Sequence, residues 1–147
     1  MNASHQRQID VLLDQYAESH RHPANEWVHI VCVPAIMVSL LGLLWHAHPG
    51  AAFALMGAAM IYYLRLSLPF ACGMAVVLSA MAALLYWFPA QWLFQFSLVV
   101  FIIAWVGQFI GHEIEGKKPA FFDDLRFFLI GPLFVLGFLY RRFGLRY

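Results

Sequence analysis

Residues 27–45 read WVHIVCVPAIMVSLLGLLW. No Asp, Glu, Lys or Arg interrupts this run, and Trp27 and Trp45 close its two ends. Roughly 20 apolar residues in helical form cross the ~30 Å hydrocarbon core of a bilayer. Tryptophan at both ends is the pattern of the two membrane–water interfaces. Pro34 lies inside the run, which a helix packed among others tolerates because neighbours satisfy the freed backbone groups. The stretch predicts a membrane-spanning helix.

The same pattern repeats outward from it. Residues 46–50, His-Ala-His-Pro-Gly, read as a turn. Residues 51–88 are apolar except for Arg65, too long for one span, and Arg65 followed by Pro69 divides them into two. The first of these is rich in Ala, Gly and Met, residues that let helices pack closely. Phe88-Pro89-Ala90 is a second turn, and residues 92–111 form a fourth span.

On the N-terminal side, Ile9, Leu12, Leu13 and Tyr16 recur at i, i+3, i+4 and i+7 within residues 5–20. They predict a short amphipathic helix lying on the membrane surface or on the other helices. His22-Pro23 interrupts it, and Asn25 stands in N-cap position for the first span. On the C-terminal side, residues 113–126 are charged, and residues 127–140 are apolar, broken by Gly131-Pro132. At ~1.5 Å per residue, that segment falls well short of the ~30 Å core. It reads as a re-entrant or bundle-packed helix. The expected fold is therefore all-α: a polytopic membrane helical bundle of four spans, in one integral membrane domain over residues 1–147.

Composition agrees. The 147 residues are 63% hydrophobic and 12% charged, with mean hydropathy +0.71, against about 25% charged in soluble domains. A net charge of +1 excludes a basic field for nucleic acid. Cys32 and Cys72 both fall in apolar runs and read as small hydrophobes without a disulfide. The polar residues 1–26 do not resemble a secretory signal, and no internal repeat is present.

Charge sets the expected orientation. With four spans, the N-terminus, the Arg65 junction and the tail share one side, and they hold every Lys and Arg of the chain. The positive-inside rule puts that side in the cytoplasm. His20, His22, His29, His112 and Glu115 then lie on the cytoplasmic face, and His46 and His48 on the other.

Ionisable groups at a membrane are costly and point to function. Individually, His20, His29 and His112 have ordinary explanations as helix-end or headgroup-level residues. Jointly, three histidines from distant segments meet at one face. Asn25 lies four residues before His29, and Glu115 three after His112, so each pair shares a helix face if the helix continues. Imidazoles with an optional carboxylate suit Fe, Zn, Cu or Ni, and the spacing does not choose among them. Glu26 and Glu113 read as charged caps or solvated residues, and His22 as a loop residue. Lys117, Lys118 and Arg65 read either as snorkelling cations or as docking charges for an anionic headgroup or a fatty carboxylate.

His20-Arg-His-Pro-Ala-Asn25-Glu-Trp-Val-His29, running into Pro34, resembles the first signature of a small family of membrane proteins. Gln108-Phe-Ile-Gly-His112-Glu-Ile-Glu115-Gly-Lys-Lys-Pro119, continuing to Ile130-Gly-Pro132, resembles the second. The family was long labelled a domain of unknown function. Its yeast endoplasmic-reticulum member is a 2-hydroxy fatty acid dioxygenase acting in phytosphingosine breakdown. The resemblance implies an Fe(2+)-dependent α-oxidation, in which a 2-hydroxy fatty acid and O2 give the one-carbon-shorter fatty acid, CO2 and water. It implies His20, His29 and His112 as metal ligands. Glu115 would be a fourth ligand or a base, and Asn25 would orient a histidine. Lys117 and Lys118 would assist the substrate carboxylate, and the acyl tail would run between the helices. The reaction itself supplies all four electrons that O2 needs, so no organic cofactor is implied.

The expected setting is the membrane lipid of a bacterial inner membrane, or the endoplasmic reticulum in a eukaryote. Oligomeric state is left open, a homo-oligomer included. The competing readings are another metal-binding, lipid-modifying protein such as a di-iron desaturase, a b-type haem protein, and a non-enzymatic membrane scaffold whose polar signatures only cap helices.

Overall fold

The computed structural model describes residues 7–147. Its elements are α1 (Gln8–Ala17), α2 (Pro23–Ala47), α3 (Pro49–Leu66), α4 (Leu68–Trp87), α5 (Ala90–Glu115), a 3-10 turn (Ala120–Phe122) and α6 (Phe127–Arg142). The described residues contain no strand. In lipid every backbone polar group must be satisfied within the protein, which an α-helix does by itself. Helices α2, α3, α4 and α5 are each long and apolar enough to cross a membrane, as expected. Their outward faces expose Val31, Phe53, Ile61, Val76 and Ile103. A water-soluble surface rarely carries so much apolar area, whereas a bilayer solvates it.

The helix junctions are set by local chemistry. Pro23 and Pro49 open α2 and α3, where a missing N–H and a fixed φ cost nothing. A histidine caps each: His22 Nδ1 accepts from Ala24 N at 3.2 Å, and His48 Nδ1 from Gly50 N at 3.0 Å. This corrects the expectation that Asn25 is the N-cap of the first span. Pro23 starts the helix two residues earlier, so Asn25 lies inside its first turn and is fully buried. The expected turn at residues 46–50 contracts to His48 alone, and α3 breaks from α4 at Ser67, between Arg65 and Pro69. Helix α5 continues past residue 111 to Glu115 and stops where Gly116 takes φ +72°, a left-handed conformation that glycine adopts freely.

Helices α2 and α5 make the most extensive contact in the molecule and run antiparallel. At one end Gly42 faces Ser97, leaving no room for a Cβ. At the other, Gly111 lies against Asn25 and Val28. His46 packs on Phe94, ring centroids 5.3 Å apart, at the end far from His29.

The amphipathic stripe of α1 (Ile9, Leu12, Leu13 and Tyr16) is buried. It packs on α6, with Tyr16 5.9 Å from Phe127 and 5.1 Å from Phe134. Residues 5 and 6 of the predicted helix lie outside the described residues. Helix α6 is buried from Ile130 through Gly137. Its two ends touch the same end of the bundle. Leu129 O accepts from Tyr63 Oη at 3.0 Å, Tyr140 Oη donates to Pro69 O at 2.8 Å, and Phe138 packs 5.9 Å from Trp27. The segment therefore lies across that end instead of traversing the bundle. Arg7 joins the same end by donating to Tyr147 O at 2.7 Å. The N-terminal helix, the α3–α4 junction and the tail thus gather together, away from His46 and His48.

Replacing Gly42 with Leu should force α2 and α5 apart and destabilise the fold by about 1–3 kcal/mol. Gly57 faces open space, so Gly57→Leu should be nearly neutral. Thermal unfolding of both variants in detergent checks this.

Candidate metal centre

Three elements supply the centre. His20 follows α1, His29 stands on the second turn of α2, and His112 on the last turn of α5. All three are buried, at 4%, 2% and 4% exposure, which is rare for ionisable side chains unless they are paired or bind a metal. One ring nitrogen from each lies within 4.8 Å of the others. The grouping expected from sequence is thus present.

The hydrogen bonds determine which nitrogens are free. His20 Nδ1 donates to Tyr16 O at 2.6 Å, and His29 Nδ1 donates to Asn25 O at 3.0 Å. A carbonyl oxygen can only accept, so each Nδ1 carries the proton. The two Nε2 atoms then present bare lone pairs to each other across 2.8 Å. Lone pairs this close repel each other, and a metal ion bound beside them by both nitrogens would relieve that repulsion. Burial pushes the His20 imidazole down to about 4, with the Tyr16 carbonyl pulling partly the other way, so this ring is neutral at ordinary pH and is suited to coordinate a metal. His112 Nδ1 is buried with no hydrogen-bond partner. The donor set fits a metal ion: three imidazoles, two oriented by backbone carbonyls in the way ligating histidines usually are.

Packing fixes the rings. Tyr16 stacks on His20 with centroids 4.2 Å apart and planes 12° apart. His29 and His112 meet His20 edge-on at 4.0 and 4.9 Å. By its spacing in the sequence Tyr16 belongs only to the α1 stripe. In the structure it supplies both a stacking face and the carbonyl that sets the His20 tautomer.

The other predicted residues fall around the triad. The Glu115 carboxylate accepts from Arg21 N at 3.1 Å, from His22 N at 2.7 Å and from Asn25 Nδ2 at 3.3 Å. It clamps the loop between His20 and α2 and is not among the converging ligand atoms. Asn25 Nδ2 also donates to Ser19 O at 3.1 Å, while its Oδ1 is buried without a partner. Lys117 Nζ donates to Glu18 O at 2.9 Å, tying the chain after α5 to the end of α1. Lys117 and Lys118 are exposed and border an open groove that reaches His112. His22 is a cap, and His46 and His48 are remote from the centre.

Gln108 was given no role from sequence. It lies one turn before His112 on the same face of α5, is buried, and lines a cavity of about 70 Å³ with His29, His112, Trp105 and Phe128. An amide deep inside an apolar span, one turn before His112, was the available signal.

These features define a membrane-embedded helical bundle with a buried tri-histidine centre able to hold a metal ion. A family model described as 2-hydroxy-palmitic acid dioxygenase Mpo1-like matches residues 6–143, and the chain belongs to that family. A relative from Saccharomyces cerevisiae, 2-hydroxy-palmitic acid dioxygenase MPO1, is 29% identical over 139 residues, covering 86% of this chain and 80% of its own length. No solved structure matches the chain.

Two outcomes follow from this geometry. In the metal-free protein, the unfolded chain protonates His20 near pH 6.5 while the folded form resists until about pH 4. Stability should therefore fall as pH drops through that window, read as a declining melting temperature whose slope is smaller in His20→Asn. Glu115→Ala should strand two backbone N–H groups and weaken metal affinity about 10–100-fold, the effect of losing a residue that orients ligands. A metal titration checks it, and complete loss of binding would instead mark Glu115 as a ligand.

Proposed function

We propose that this protein is an Fe(2+)-dependent dioxygenase that carries out α-oxidation of 2-hydroxy fatty acids. The observation that carries the reading is the pair of deprotonated Nε2 atoms of His20 and His29 facing each other at 2.8 Å beside His112. Family membership and the printed name of the yeast relative supply the substrate class. The overall change is R–CHOH–COOH + O2 → R–COOH + CO2 + H2O. The bond between C1 and C2 breaks, C1 leaves as CO2, and C2 becomes the new carboxyl carbon. Four electrons pass from substrate to O2, so no external reductant is needed.

His20, His29 and His112 would hold the iron. Iron(II), when bound, supplies the one-electron chemistry by which O2 reacts with a closed-shell organic acid. The remaining residues bind and orient. Tyr16 O and Asn25 O keep His20 and His29 in the Nδ1–H tautomer. Glu115 holds the loop carrying His20 against α2. Gln108 projects an uncommitted amide into the cavity beside His29 and His112, where its N–H2 can donate to a substrate carboxylate or 2-hydroxyl. Lys117 and Lys118, at the mouth of the groove, attract the carboxylate from the headgroup layer. The buried walls exclude water from the reacting carbon. All Lys and Arg side chains lie in the segments gathered at the site's end of the bundle, and the positive-inside rule makes that end cytoplasmic.

Anaerobic purification with metal quantification, followed by O2 uptake on 2-hydroxypalmitate, tests the assignment. His112→Ala should lose both stoichiometric iron and uptake, and a variant with full turnover would overturn the reading. Gln108→Leu should keep its iron but raise KM for the acid by roughly tenfold or more, the cost of deleting one hydrogen bond to a charged group. Uptake unchanged in Gln108→Leu would remove its role in substrate binding.

A further inference from the structure

We propose that the alkyl chain of the substrate occupies a continuous apolar channel that starts at the histidine centre and ends between α3 and α4. This rests on the 2-hydroxy acid reading above and adds the subsite that would select chain length.

Two cavities share a wall. The narrow one, about 70 Å³, touches His29, Gln108 and His112. Ile36, Met37, Phe128 and Pro132 line it, and the same four residues line a second cavity of about 320 Å³. The second cavity continues along Leu40 and Leu41 to Leu55, Met56, Ala59 and Leu78. It contains no charged residue, and the hydroxyl of Tyr63, also on its wall, is already engaged with Leu129 O. A long space with polar anchors at one end only matches an amphiphile with one polar head. Apolar cavities of this kind do not hold ordered water.

The dimensions and direction agree. From His29 to Leu41 the path follows α2 for about 18 Å at 1.5 Å per residue, a reach for a long-chain acyl group. The centre lies at one end of the spans, so a carboxylate at headgroup level would point its tail toward the bilayer interior. Leu40, Leu55 and Phe128 are partly exposed on the rim of the second cavity, at 37%, 39% and 46%. Between them the chain can slide in sideways from the lipid. Met37 and Phe128 belong to the wall that both spaces share, where a flexible thioether can adjust to a passing chain. Ala59 is the small residue on the α3 wall of the second cavity, between Tyr63 and Met56.

The test compares turnover of 2-hydroxypalmitate and 2-hydroxyoctanoate by the iron-loaded protein. In Ala59→Phe, the ratio of long-chain to short-chain turnover should fall about tenfold or more, as expected when a hydrophobic pocket loses room for several methylenes. Val76→Phe, on the outward face of α4, should leave the ratio unchanged. An unaltered ratio in Ala59→Phe overturns the channel. A second measurement does not depend on that variant folding. A 2-hydroxy acid with a diazirine at its terminal carbon, photolysed on the unmodified protein, should label Leu55, Met56, Ala59 or Leu78. Label confined to outward residues such as Val76 and Ile103 overturns the proposal. A protein that oxidises no 2-hydroxy acid of either length, yet takes this label inside, leaves the channel standing and overturns the functional reading instead.

Discussion

Backbone-to-backbone approach of α2 and α5 is the contact on which the rest of the site depends. Gly42 and Gly111 remove the side chains that would hold the two helices apart, as small residues do wherever helices associate in lipid. Because the helices run antiparallel, the first turns of α2 meet the last turn of α5. His29 and His112, 83 positions apart by subtraction of their numbers, thereby become neighbours with ring centroids 4.9 Å apart. Gly111 admits the Asn25 amide, which reaches Glu115 on the same helix. Only the third histidine must be delivered by another element, and α1, seated on α6, brings His20 to the pair.

Burial then turns proximity into chemistry. A buried imidazole disfavours its charged form, and Nδ1 bonds to Tyr16 O and Asn25 O leave Nε2 as a lone pair. Two such lone pairs at 2.8 Å repel each other unless a cation is present. The same arrangement would orient the three imidazoles before a metal arrived and so reduce the reorganisation that binding demands. Glu115 contributes from outside this cluster. Its carboxylate satisfies two backbone N–H groups of the loop that carries His20, so its negative charge serves the shape of the site.

Much of the fold was readable because hydrophobic length along a helix is a property of the chain itself. Residues 27–45, the split at Arg65 and Pro69, and the Phe88-Pro89 turn each follow from counting residues against bilayer thickness. The shortness of residues 127–140 favours a re-entrant or packed helix over a fifth span for the same reason. Asn25 was misplaced because a cap preference is weak beside Pro23, which fixes the start of α2 and leaves His22 to accept from Ala24 N. Gln108 and Tyr16 are not legible as site residues because one amide of a span and one member of an apolar stripe carry no mark of the cavity they line.

The sequence by itself determined the number of spans, the end of the bundle that gathers the cations, and the three histidines brought together there. It did so because helical period and charge asymmetry are one-dimensional patterns. The tertiary structure alone decided that the three ring nitrogens converge within 4.8 Å, that Glu115 faces the loop, and that two apolar cavities share a wall beside the centre. Those outcomes depend on how far each helix is rotated about its axis and how closely it packs. Rotation and packing are fixed by glycine contacts and buried hydrogen bonds between segments distant in the chain, and no local spacing encodes them.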